Sequence, residues 1–143
     1  MAKFTQANRS LAVSTPLGQD ILLLTGFNGQ EELSQLFRYQ LDMLSEKDDI
    51  APADIVGKNV SWTVQPIGGT VRLFSGVVSR FGAGGRTIQK LRAYRAEVVP
   101  WFWFLTLTSD CRIFQNKTVK DICEQVESAG RESFIDLVDP LLQ

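Results

Sequence analysis

Histidine is missing from this 143-residue chain, and cysteine occurs twice, at Cys111 and Cys123. Without an imidazole there is no Ser–His–Asp or Cys–His nucleophile, and no Cys/His set to complete a structural zinc site. Two cysteines in a domain of this size do not make a disulfide framework. Charge of one sign is also lacking, since 15 Lys and Arg stand against 16 Asp and Glu for a net charge of −1. A nucleic-acid binder needs a clustered basic excess to neutralise phosphates, so that class is disfavoured. Long apolar runs are absent too. The longest are Ile21–Leu24 and the aromatic block Trp101–Phe104 with its flanks, both far short of the roughly 18 residues that span a bilayer. The N-terminal stretch has Lys3 and Arg9 but no uninterrupted apolar segment behind them, which excludes a Sec-type signal peptide. The expectation is a product made in the cytoplasm, with no membrane insertion by this region.

What is present is alternation. In LFRYQLDMLS, Phe37, Tyr39, Leu41 and Met43 share one face, while Arg38, Gln40 and Asp42 share the other, the period of a half-buried strand. A short strand is expected near Leu11–Ser14, and the apolar run Asp20–Phe27 is followed by a polar loop over Asn28–Leu33. Glu46–Gly57 is a charged, proline-containing connection with room for one helical turn. Val60, Trp62 and Val64 share a face, PIGG turns the chain, and a long strand opens at Val71–Phe74. Gly82–Gly85 is expected to turn it again into a strand over Lys90–Val99, whose Arg86–Arg95 charges form a wet face.

Near the end the period changes. Thr118 and Asp121 have the spacing of a capping box. Val119, Ile122, Cys123 and Val126 then recur at helical spacing, and Gly130 sits where a C′ glycine belongs. This predicts a helix over about Val119–Ala129 with that stripe, Cys123 included, buried. The fold class is therefore mainly β: a small antiparallel β-barrel over 1–108, closed or nearly closed to hide its strand edges, followed by a helical connector over 109–143. The terminal segment Phe134–Gln143 breaks off in an apolar pattern and reads as cut short.

Candidate chemistry is sparse. GAGGRT lacks the third glycine and the following helix of a dinucleotide loop, so it reads as a hairpin tip. The acidic pairs Glu31/Glu32 and Asp48/Asp49 are sequence neighbours in polar loops and read as solvated charge rather than as a catalytic acid and base. No catalytic residue, cofactor or metal site is expected, and the chain reads as a non-enzyme. The aromatic block Trp101–Phe104 has no interleaved Arg or Lys for nucleic-acid stacking and is too short for a membrane anchor. Core packing at the end of the barrel is the expectation, with Pro100 stopping the strand before it. Residues 101–107 fit either a helical or a strand face, with a short helix preferred because proline suits a first helical turn.

The order of these motifs resembles the N-terminal part of the VgrG family, the spike proteins of type VI secretion, itself similar to the hub of contractile phage baseplates. The resemblance covers about residues 18–130. It rests on PWFWFLT, SDCRIFQNK and the helix start, with DIVGK and Phe74-x-Gly76-x-Val78 upstream. Its signature positions are Pro100, Trp101, Trp103, Arg112, Phe114, Asn116 and Asp121. The resemblance implies a structural hub that docks on the Hcp tube within the baseplate and is exported by the machine. It also implies a homotrimer in full-length members, which continue through a second barrel and a needle absent from this chain. A truncated hub paralogue, binding a baseplate, adaptor or immunity partner on its own, is the alternative. Asp48, Asp49 and Arg86 are candidate interface residues because rim loops carry contacts.

Overall fold

The computed structural model describes residues 4–109 and 111–138, with side chains described as far as Arg131. Two compact units follow one another, Met1–Pro100 and Trp101–Gln143. The first unit is a six-stranded antiparallel sheet: β1 (Leu11–Ser14), β2 (Leu23–Gln30), β3 (Arg38–Ser45), β4 (Asn59–Val64), β5 (Arg72–Arg86) and β6 (Arg92–Val99). The spatial order β1-β4-β5-β6-β3-β2 brings the first two strands to the two edges of one curled sheet, a nearly closed barrel.

Alternation decides which side of each strand faces inward. Tyr39, Leu41 and Met43 on β3, Val60 and Trp62 on β4, and Tyr94, Ala96 and Val98 on β6 are buried. Their neighbours Arg38, Asp42, Arg95 and Glu97 line the outer face, where Arg95 pairs with Asp42 at 2.8 Å and Arg38 with Glu97 at 4.0 Å. Such exposed pairs add at most about 1 kcal/mol each. Inside, Trp62 stacks on Phe74 with ring centres 5.4 Å apart, and Phe27 and Tyr39 meet both rings. β5 is long enough to serve two partners, pairing with β4 over Arg72–Val77 and with β6 over Val77–Arg86.

The edges are joined by one side chain. The buried Gln6 amide donates from Nε2 to the carbonyls of Val13 (3.2 Å) and Leu22 (3.1 Å). Its Oε1 accepts from the amides of Val13 (2.9 Å) and Leu24 (3.0 Å). In effect it stands where a strand-to-strand peptide pairing would be. Asp20 holds the segment that delivers it, accepting from the Gln6 amide (3.0 Å) and the Thr5 hydroxyl (2.9 Å).

Several expectations are corrected. β2 runs on to Gln30, so Asn28–Gln30 is strand rather than loop. Gly82–Gly85 lies inside β5, not at a hairpin tip. The register slips between Ala83 and Arg86, so the glycines form a bulge, an outcome that glycine favours as readily as a turn. The turn itself falls at Thr87–Leu91. There Lys90 takes a positive φ of 63°, and the Thr87 carbonyl and hydroxyl accept from the amides of Lys90 and Leu91. A 3-10 turn over Pro52–Asp54 occupies the β3–β4 connection, as its sequence allowed.

In the second unit a 3-10 helix (Trp101–Leu107) precedes α1 (Val119–Val138). The capping box is formed: the Asp121 amide donates to the Thr118 hydroxyl (3.2 Å), and the Thr118 amide donates back to the Asp121 carboxylate (3.0 Å). Gly130 does not end the helix. It is buried within α1, and a Cβ there would lie 2.3 Å from a Leu105 methyl, so the glycine is a seat for Leu105. The closing residues Asp139–Gln143, part of the apolar ending noted in the sequence, lie outside the described residues.

Candidate functional site

The predicted interface residues sit at one end of the barrel. Asp48 and Asp49 occupy the β3–β4 connection, and Arg86 ends β5. Asp48 and Arg86 pair with each other. The buried Tyr94 fixes the loop between them, its hydroxyl donating to the Lys47 carbonyl (3.0 Å) and accepting from the Ile50 amide (3.4 Å). Asp49 is exposed beside this pair. The rim is therefore an ordered charged surface rather than a cleft with converging groups.

The acidic pair at the other end is also engaged locally. The Tyr39 hydroxyl donates to Glu31, and the Gln30 side-chain amide donates to Glu32. Burial, reinforced by the Glu31 carboxylate, pushes the Tyr39 phenol up to about 12, so it keeps its proton at any physiological pH. Among the described residues no group of three or more His, Cys, Asp or Glu side chains is placed to hold a metal ion. None of the described helices is long and apolar enough to cross a membrane.

The signature residues lie together in the chain but do not form one cluster. Pro100 is half-buried at the end of β6. Of the four rings behind it, Phe104 alone is buried; Trp101 and Trp103 are half-buried and Phe102 is exposed. The expectation of a fully buried block fails because a 3-10 helix turns 120° per residue, so four consecutive rings radiate to all sides. Successive rings meet edge to face, Trp101 with Phe102 at 5.0 Å and Trp103 with Phe104 at 5.2 Å. Arg131 of α1 lies 5.2 Å over the Trp101 ring. Arg112 is exposed, Phe114 is half-buried, Asn116 takes a left-handed φ of 54° before the cap, and Asp121 is the capping acid.

Cys123 is exposed and free, as is Cys111, which overturns the reading of Cys123 as core. The stripe that carries it is largely open as well, with Val119 78% and Val126 36% exposed. The burial side of α1 is rotated toward Ile122, Ala129 and Gly130, because Leu105 docks on the glycine. Between Leu105, Arg112, Phe114 and this side of α1 lies an open groove of about 570 Å³.

Sequence reasoning missed two structural residues, Gln6 and Gly29. Nothing local marks Gln6. A glycine in a strand does hint at close approach, and at Gly29 a Cβ would fall 2.0 Å from the Tyr39 ring. Gly76 of the Phe74-x-Gly76-x-Val78 motif is explained in the same way, since a Cβ there would lie 2.9 Å from the Val99 carbonyl oxygen.

Known proteins share this arrangement. The phage tail baseplate hub (GPD) family profile matches residues 30–137. The type VI secretion system spike protein VgrG1a of Pseudomonas aeruginosa is 42% identical over 132 residues, 92% of this chain and 20% of that protein. VgrG1c of the same organism is 40% identical over 123 residues, 86% and 17% of the two chains. The chain thus spans about a fifth of the length of these relatives. Among solved structures, the E. coli c3393 protein is similar at a TM-score of 0.67 and 25% identity, over 80% of this chain and 30% of that one. That protein is described as a component of the type VI secretion system with structural similarity to the T4 bacteriophage tail proteins gp27 and gp5.

Proposed function

The chain belongs to the phage tail baseplate hub (GPD) family, and on that premise we propose that it is the hub barrel of a type VI spike, a structural part that docks on the Hcp tube and leaves the cell with it. The observation that carries this reading is the 42% identity to a type VI spike protein across nearly the whole chain. The barrel supports it, because three of its buried polar side chains hold the fold: Gln6 on the seam, Tyr94 on the rim loop and Tyr39 on Glu31. A structural part needs its polar groups engaged in this way, whereas a catalyst needs polar groups left aimed at an open site. On this reading the role is non-catalytic.

The test is direct. Purified chain mixed with Hcp rings is expected to co-migrate in size-exclusion chromatography, and the complex should weaken when the exposed Asp48, Asp49 and Arg86 are changed together to alanine. Separate elution at high micromolar concentrations would refute docking by this barrel alone.

A further inference from the structure

The two ends of the barrel differ in chemistry. Because neighbouring strands are antiparallel, β2, β4 and β6 finish at the end where β1, β3 and β5 begin. At the opposite end lie Glu46–Asp49, Asp54, Arg86 and Lys90. At the first end lie the β2–β3 and β4–β5 loops, and with them Leu33 (97% exposed), Leu36 (42%), Ile67 (106%), Val71 (51%) and Leu73 (70%). Of the large apolar side chains this unit exposes among the described residues, Ile88 alone lies elsewhere.

Both loops present their apolar residue by the same device. In Glu32–Gln35 the Gln35 amide closes on the Glu32 carbonyl, Ser34 takes a φ of 62°, and Leu33 occupies the position before it. In Pro66–Gly69 the Gly69 amide closes on the Pro66 carbonyl, Gly68 takes a φ of 72°, and Ile67 occupies the matching position. Such a corner usually carries proline or a polar residue. Here each one projects a fully exposed aliphatic side chain. The loops are braced at their bases, because Phe27 and Tyr39 from the β2–β3 side pack on Phe74 of β5. All five side chains are exposed at this one end, and apolar surface gathered in one region of a protein is often functional.

The charges at this end are complementary. The first loop carries Glu32, and β5 opens after the second with Arg72, which lies over the Phe74 ring; neither has an ion-pair partner among the described residues. A two-fold axis at this end would set the acidic leucine loop of each copy against the Arg72 start of β5 of the other, twice over. We infer that the apolar end of the barrel binds a second copy of this chain, end to end, with Leu33 and Leu36 meeting Ile67, Val71 and Leu73 across the contact, and Glu32 meeting Arg72. This contact does not depend on the spike reading and is distinct from any three-fold assembly.

Sedimentation of the purified chain over a wide micromolar range tests it. The expected result is a monomer–dimer equilibrium, weak as suits a small interface. It should weaken about tenfold or more in Ile67→Lys and in Leu33→Lys, whose side chains lie outside the packed interior and whose melting should be unchanged. Arg72→Glu should weaken it, and adding Glu32→Arg to that variant should restore it. A monomer at every concentration overturns the proposal, as does a dimer indifferent to both lysine substitutions. Partition of the chain into lipid vesicles through Ile67 and Leu33, with no self-association, overturns it equally.

Discussion

Replacing Gln6 by alanine isolates the bond that closes the barrel. Four hydrogen bonds end on this one amide, two given and two received, and all four partners are backbone groups of Val13, Leu22 and Leu24. A buried neutral hydrogen bond contributes about 1 kcal/mol net, so the set is worth roughly 3–4 kcal/mol once some water reaches the vacated seam. That is a large share of the ~5–15 kcal/mol by which a domain is stable, and the melting temperature should fall by about 10 °C or more. Denaturant unfolding measures the loss. Hydrogen exchange locates it, because the Val13 and Leu24 amides lose their acceptor and should exchange far faster, while amides between β5 and β6 change only with global stability. Gln6→Glu separates shape from bonding. It keeps the volume but presents oxygen instead of a donor to the carbonyls of Val13 and Leu22, and it should cost at least as much as alanine. If alanine costs less than about 1 kcal/mol, or if protection at Val13 and Leu24 is unchanged, the strands close without the amide and the reasoning is wrong.

Three further outcomes are expected. Gly29→Ala should destabilise by about 1–3 kcal/mol, the usual cost of overpacking, because the Tyr39 ring that its Cβ would strike is held by Phe27, Phe37, Trp62 and Phe74; urea unfolding with no loss of stability would contradict this. The Asp20 carboxyl titrates below its ordinary 3.8 because it accepts from the Gln6 amide and then the Thr5 hydroxyl, so its stabilisation is complete above that pH and fades as pH falls through the folded value; melting curves taken below about pH 4 should drop more steeply for the native chain than for Asp20→Asn, and parallel curves would refute the link. In the aromatic block, Phe104→Ala should cost about 3 kcal/mol or more by thermal unfolding of the second unit and Trp101→Ala distinctly less, since Phe104 is buried and Trp101 is not; the reverse order would mean the rings are misplaced.

The legible parts of the fold are those whose signal is local and redundant. Strand β3 shows in its sequence because Tyr39, Leu41 and Met43 repeat one message every second residue, and the α1 start shows because Thr118 and Asp121 satisfy each other three residues apart. Glycine misled twice. Gly82–Gly85 allows a bulge or a turn, and cross-strand register, which is long-range, decides; Gly130 allows a helix stop or a seat, and Leu105, 25 residues away, decides. The aromatic block was read as one mass because composition does not reveal a 120° step. For the candidate site, order of motifs told more than chemistry: the family was legible, whereas the pairing of Asp48 with Arg86 and the apolar tips at the opposite end depend on which loops share an end, which only the strand order settles.

The strand order also has a consequence during synthesis. Of the six described strands β6 is made last, yet it lies in the interior of the sheet between β5 and β3. Until it emerges, β3 and the far half of β5 each offer an open edge to any neighbouring nascent chain. At the ~5–20 residues per second of translation, the 54 positions from Ser45 to Val99 keep the β3 edge waiting for several seconds. The charges on its outward side chains, Arg38 and Asp42, which in the finished barrel pair with Glu97 and Arg95, are then unpaired and well placed to discourage adventitious strand pairing. The same two residues of β3 that add little to the stability of the finished molecule guard the unfinished one.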